Sequence, residues 1–313
     1  MRTFTTDHGR AREGRFHGAL RIAVGLFLTT SPVFAQGPVP LELHGVVPGG
    51  ARPVQCGAAG DLDGDGWPDL LLGLFNFGGP ISERLDGDGF GALRPGTFAP
   101  AGLGEYTPSL GLGDWNGDGA LDVFLAAGGH AGGRDRLFLN DGSGNFWPGG
   151  LSFTTDYTSF AGMADVDGDG LDDVLRGASI LEIYFASGGS TNVAEWTSVA
   201  RVGDLDGDGD ADLSGIGGTT SWVALGDGLG SFAVLPGALP PDTGAGFDMR
   251  LLDADGDGDL DAWRVNGASY FGATTPDRLD RNDGSANFSE FVGSLPPDLD
   301  EGRALAVGDL DHD

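Results

Sequence analysis

The sequence has no lysine. All 17 of its basic residues are arginines, set against 47 acids in a chain of 313 residues, for a formal net charge of −30. Without lysine, Schiff-base chemistry and a lysine general base are excluded. Without a basic stripe to neutralise phosphates, nucleic acid is excluded as a partner. Cys56 is the only cysteine, so no intramolecular disulfide is possible. Histidine is nearly as scarce: beyond residue 35 only His44, His130 and His312 remain, none in a catalytic signature. No apolar run is long enough to span a bilayer. An imbalance of charge this large destabilises a compact state through self-repulsion. Disorder does not resolve it, because 40% of residues are hydrophobic and the acids fall in regular clusters. Bound cations do. The 59 glycines show no every-third-residue period, which excludes collagen and points to turns.

The N-terminus reads as an export signal over residues 1–35. Arg10, Arg12, Arg15 and Arg21 supply a basic segment, Ile22 to Leu28 a short apolar one, and Val33-Phe34-Ala35 a cleavage site before Gln36. The alternative is a buried N-terminal helix. Cleavage would remove five arginines, Asp7 and Glu13, leaving 12 basic residues against 45 acids. The exported chain would be more acidic still, in a compartment rich in calcium. Residues 36–50 read as a linker or first strand, and 51–313 as one repeat-built domain.

A nine-residue pattern, with Asp at positions 1, 3, 5 and 9 and Gly at 6, returns along the chain. Its oxygen-bearing residues are Asp61, Asp63, Asp65 and Asp69 in the first copy, and Asp114, Asp118 and Asp122 with Asn116 at the third position in the second. The third has Asp165, Asp167, Asp169 and Asp173, and the fourth Asp204, Asp206, Asp208 and Asp212. The fifth has Asp253, Asp255, Asp257 and Asp261, and a sixth begins with Asp309, Asp311 and Asp313. Starts are 53, 51, 39, 49 and 56 residues apart, a period of propeller blades and not of short solenoid turns. Most copies follow a short apolar run ending in a small residue, such as Leu110-Gly111-Leu112-Gly113 or Phe160 to Ala164. Several precede another run, such as Leu70-Leu71-Leu72 or Val123-Phe124-Leu125. Both are strand-length. A hairpin-like turn recurs further on, as Asn140-Asp141-Gly142 to Phe146 and Asn282-Asp283-Gly284 to Phe288, with looser versions at Gly226 to Phe232 and Asp86 to Phe90. Each unit reads as strand, acidic loop, strand, tight turn, strand, with room for a fourth strand before the next unit.

Calcium takes six to eight oxygen ligands, and a chain presenting carboxylates at alternate positions can wrap it. Positions 1, 3 and 5 would give side-chain oxygens, position 7 a backbone carbonyl, and position 9 would close the site directly or through water. Zinc is disfavoured for want of Cys and His at ligand spacing; magnesium is an alternative, though it prefers to keep several waters and rarely uses so dense a cage. An EF-hand needs a Glu at position 12, where the five copies have Leu72, Leu125, Arg176, Gly215 and Arg264. Plain solvated turns would explain one copy, but not five with oxygens at the same four positions. About five calcium sites are expected, with the sixth copy as a further candidate.

Together the Asp-rich loops and the Asn-Asp-Gly-x-x-x-Phe turns resemble the FG-GAP/VCBS repeats found at the N-terminus of integrin α chains and in secreted bacterial proteins. The resemblance covers roughly residues 50–313. It implies an all-β fold, a β-propeller of about seven four-stranded blades with calcium held in blade loops by the Asp and Asn positions above. Two departures stand out. The unit between Asp165 and Asp204 is short and lacks the turn Phe, so its blade is expected to be trimmed. The sequence also breaks off inside the sixth loop, so five full units and a stub are expected to leave the ring open, through truncation or for completion by a partner. Arg134 with Arg136, and Arg278 with Arg281, read as solvated loop charges, and the six tryptophans as packing between blades. The expected function is a secreted binding or adhesion module for a protein or glycan, with structural calcium and no catalytic site. The alternative is a calcium-dependent polysaccharide lyase or hydrolase on the same scaffold.

Overall fold

The computed structural model describes residues 54–74, 82–98, 107–127, 134–153, 157–193, 197–217, 220–241, 245–267 and 275–293, with Leu295 and Leu305. The expected leader, the 36–50 segment, the three histidines and the sixth loop (Asp309, Asp311, Asp313) lie outside them. The described residues contain strands and turns and no helix. They form five four-stranded blades of a β-propeller.

Blade 1 consists of β1 (Val54–Gly60), β2 (Asp69–Leu74), β3 (Ser82–Gly87) and β4 (Leu93–Pro95). Blade 2 has β5 (Leu110–Gly113), β6 (Asp122–Leu125), β7 (Arg136–Asn140) and β8 (Phe146–Ser152). Blade 3 has β9 (Phe160–Ala164), β10 (Asp173–Gly177), β11 (Leu181–Tyr184) and β12 (Ser190–Val193). Blade 4 has β13 (Val199–Gly203), β14 (Asp212–Gly217), β15 (Thr220–Gly226) and β16 (Phe232–Leu235). Blade 5 has β17 (Ala245–Leu252), β18 (Asp261–Gly267), β19 (Arg278–Asn282) and β20 (Phe288–Glu290). Each is an antiparallel meander in chain order. First strands pack on one another in sequence, β1 on β5, β5 on β9, β9 on β13 and β13 on β17. The order of elements differs from the sequence reading in one respect: the strand missed there lies before the tight turn, not after it. Blade 3 is not trimmed either. Its four strands are complete, and the saving comes from a three-residue spacer (178–180) between β10 and β11 and from connections free of long insertions.

The second strands are buried from end to end in β2, β6 and β10, because each is covered on both faces. Their continuous apolar runs are what such a position requires. The core is correspondingly interfacial. One cluster joins Leu62 and Leu71 to Val123, Leu125 and Phe138 across blades 1 and 2. Others join Phe124 and Leu137 to Val174, Leu175 and Val166 to Leu213, and Val199 and Ile216 to Met249 and Ala262. The small residues in the first strands permit close approach. A Cβ on Gly111 would stand 2.8 Å from the Gly162 carbonyl carbon in the neighbouring blade.

Among the described arginines, Arg84, Arg176 and Arg264 are buried. Arg176 Nε meets Asp135 Oδ2 at 2.6 Å, and Thr158 donates to the same oxygen. Arg264, fully buried, meets Asp280 at 2.5 Å and reaches Ser221 of blade 4. Arg278 and Arg281 are therefore not solvated loop charges as the sequence suggested. Both lie on β19, Arg278 paired with Asp280 and Glu290 and Arg281 with Asp255 and Asp257. Arg136 is half-buried on β7, and Arg134 is exposed. Beyond blade 5, Leu305 donates to Asp248 Oδ2 and accepts from Arg250 Nε, both at 2.9 Å.

Candidate metal centres

Each acidic loop closes the hairpin between the first and second strands of its blade. Register fixes it: Gly60 pairs with Asp69, Gly113 with Asp122, Ala164 with Asp173, Gly203 with Asp212 and Leu252 with Asp261. The loop folds around its first carboxylate. In the first copy Asp61 Oδ1 accepts from Gly64 N at 2.8 Å and Oδ2 from Gly66 N at 2.9 Å. Asp114, Asp165, Asp204 and Asp253 repeat this pair of bonds within 2.7–3.1 Å. Both glycines need the left-handed backbone, at φ 74° for Gly64 and 89° for Gly66. The glycine at position 4 is present in all five complete copies, yet the nine-residue pattern read from the sequence did not use it. Position 5 caps the last turn, with Asp65 accepting from Trp67 N at 2.8 Å and Asp169 from Leu171 N at 2.8 Å.

Position 9 is the buried acid. Asp69, Asp122, Asp173, Asp212 and Asp261 are all at most 1% exposed, as the first residues of their strands. One oxygen accepts from the residue at position 2 and the other from the end of the third strand. For Asp212 these are Leu205 N at 2.7 Å and Gly226 N at 2.8 Å, and the other four repeat the arrangement. Burial raises the pKa of all five carboxyls, against the pull of these hydrogen bonds and helped by repulsion from neighbouring acids. Asp122 and Asp173 are pushed up to about 6.

Carboxylate oxygens of positions 1, 3 and 9 converge to within 4.8 Å of one another in four copies, the clusters being Asp61/Asp63/Asp69, Asp165/Asp167/Asp173, Asp204/Asp206/Asp212 and Asp253/Asp255/Asp261. The second copy has Asn116 at position 3. Asp65, Asp169, Asp208 and Asp257 at position 5 are not members of these clusters, nor is Asp118. An ionised carboxylate offers about four lone-pair sites, so acids that already accept one or two N–H bonds keep capacity to bind. Three negative oxygens at this separation repel one another unless a cation stands among them. The set is all oxygen, which suits a hard divalent cation. These residues could therefore hold a metal ion.

The loops also meet the next blade. Asn140 Nδ2 donates to Leu62 O of the first loop at 2.9 Å and to Leu121 O of its own at 3.1 Å. Asn282 does the same to Leu205 O and Leu260 O. Between blades 2 and 3 the link is Asp172, which accepts from Asp114 N at 2.7 Å. The turn Asn thus has a role between blades that the sequence reading did not assign. Of the tryptophans, Trp67, Trp115, Trp222 and Trp263 are half-buried, Trp147 is 43% exposed, and Trp196 lies outside the described residues.

Residues 114–175, from the second loop into β10, match the model of the FG-GAP-like repeat. No curated protein matches the chain. Among solved structures, it is similar to a lectin from Agrocybe aegerita that recognises non-reducing terminal N-acetylglucosamine, with 22% identity and a TM-score of 0.50 over 76% of this chain and 64% of the lectin. It is also similar to the V. cholerae biofilm matrix protein Bap1, with 15% identity and a TM-score of 0.47 over 76% of this chain and 39% of that one. The chain thus spans less than two thirds of either structure. The lectin likeness supports the propeller fold. No helix among the described residues is long and apolar enough to cross a membrane.

Proposed function

We propose that this FG-GAP-like repeat propeller is an exported binding module for extracellular glycan or protein, in which calcium is structural. The carrying observation is the repeated convergence of Asp oxygens from positions 1, 3 and 9 in hairpin loops of successive blades. Calcium, when bound, would supply the positive charge that lets these carboxylates remain ionised at close range, so that binding energy becomes folding energy. The chain's own residues do the rest. Position 1 shapes the loop through two glycine N–H groups, position 9 ties it to the third strand, and Asn140 and Asn282 tie it to the next blade. A rigid blade edge is a suitable platform for a ligand that the loops do not touch. Affinity for calcium in extracellular modules is on the order of 10⁻⁴–10⁻³ M.

A glycan ligand is favoured as the first to test, by the fold shared with a sugar-binding propeller, and export by the basic–apolar leader read at residues 1–35. The test is a glycan array probed with calcium-loaded protein, including glycans with terminal N-acetylglucosamine, followed by analysis of bound glycans for cleavage products. Retention of intact glycan that is lost in chelator is expected. Retention of none, or release of shortened oligosaccharide, would contradict a glycan-binding module.

A further inference from the structure

The acidic loops are alike in sequence but not in what faces them. In the first loop Asp63 Oδ2 is met by Arg84 Nη2 at 3.0 Å, and Arg84 is nearly buried, with its other nitrogens on Asp86 and on Gly144 O of blade 2. In the fifth, Arg281 Nε meets Asp255 Oδ2 at 2.5 Å and Nη2 meets Asp257 Oδ2 at 2.7 Å. In the second, third and fourth loops no arginine pairs with these acids among the described residues.

The difference traces to two places on the third strand. The strand-end residue that donates to the position-9 Asp gives a common reference: Gly87, Asn140, Ala186, Gly226 and Asn282. One residue earlier stand Asp86, Leu139, Phe185, Leu225 and Arg281. Three residues earlier stand Arg84, Leu137, Ile183, Val223 and Leu279. Blades 2, 3 and 4 carry aliphatic or aromatic side chains at both places. Blades 1 and 5 each carry one arginine, at different places, and in each case its guanidinium arrives on the position-3 carboxylate. A guanidinium is always charged and binds carboxylates with two or more donors, so it does for the loop electrostatically what a metal would do, and it stands against the oxygens a metal needs.

We infer that the five complete loops are of two kinds: those at 114–122, 165–173 and 204–212 take a divalent cation, whereas those at 61–69 and 253–261 are closed by an arginine of their own blade and do not. The inference rests on the calcium reading above and assigns it to particular loops. Arg281 gives the clean test, because it is half-exposed and its removal empties no core position. Calcium bound at saturation would be counted by equilibrium dialysis and atomic emission on the full chain, for wild type and Arg281→Gln. Three equivalents for wild type and four for R281Q are expected. Five equivalents for wild type, or no gain in R281Q, would overturn the assignment while leaving calcium binding intact. No calcium bound by either protein would overturn the calcium reading itself.

Discussion

Asp206 and Asp212 belong to the same loop and differ in everything but side chain. Asp212 is buried and takes two backbone N–H bonds from Leu205 and Gly226. Asp206 is half-buried and accepts one long backbone bond of 3.3 Å from Asp208 N. Leaving a buried donor unpaired costs about 1–3 kcal/mol. Asp212→Ala is therefore expected to lose roughly 2–5 kcal/mol in urea unfolding even in chelator, since two such donors are stranded. Asp206→Ala should lose little in chelator and instead lose part of the gain on adding calcium. Equal losses for both in chelator would contradict this division of roles. The four acids of each loop were legible from spacing alone. Their division was not, because spacing reports which oxygens are near and not which of them strand pairing carries inside. Gly64 and its equivalents were missed for a related reason: the requirement for positive φ at position 4 appears only once Asp61 is seen to gather both glycine N–H groups.

The outer hairpins are held by a second set of aspartates, which form no metal cluster among the described residues. Asp227 Oδ1 accepts from Leu229 N at 3.0 Å and Ser231 N at 2.9 Å, and Asp88 accepts likewise from Phe90 and Ala92. Those backbone bonds lower the pKa of both carboxyls, and at Asp141 the Asn145 side chain leads the same effect. A carboxyl whose folded pKa lies below its unfolded value, about 3.9, contributes stability above that value and loses it as pH falls through the folded pKa. Asp227→Asn keeps the turn's acceptor without its charge. Wild type should melt above D227N at pH 5, and the gap should close by pH 2. A gap constant from pH 5 to 2 would contradict the charge-assisted turn. At this scale the first and second strands were readable as apolar runs bounded by Gly and Asp. The third strands of blades 1 and 5 were not, because Ser82–Gly87 and Arg278–Asn282 each set a single buried leucine, Leu85 or Leu279, among charged residues that pair with one another. The shortness of blade 3 misled for the opposite reason, since all four strands fit once its connections are tightened.

For the whole molecule, the period of the acidic loops carried the architecture. The five complete copies correspond to the five described blades, and the apolar runs around them to first and second strands. What the sequence left hidden is the use of its few arginines, since most of the described ones pair with acids, several of them at blade interfaces. Calcium would match the chain's acid excess. The direct measurement is the melting temperature in chelator and again with about 10 mM calcium, beside a sodium chloride control of equal ionic strength. One site at a hundredfold excess over its dissociation constant adds about 2.7 kcal/mol, and a domain of this size gains about 2–4 °C per kcal/mol. A rise of at least about 5–10 °C with calcium, absent with sodium chloride and reversed by chelator, is predicted on those figures. Identical melts with and without calcium would contradict it.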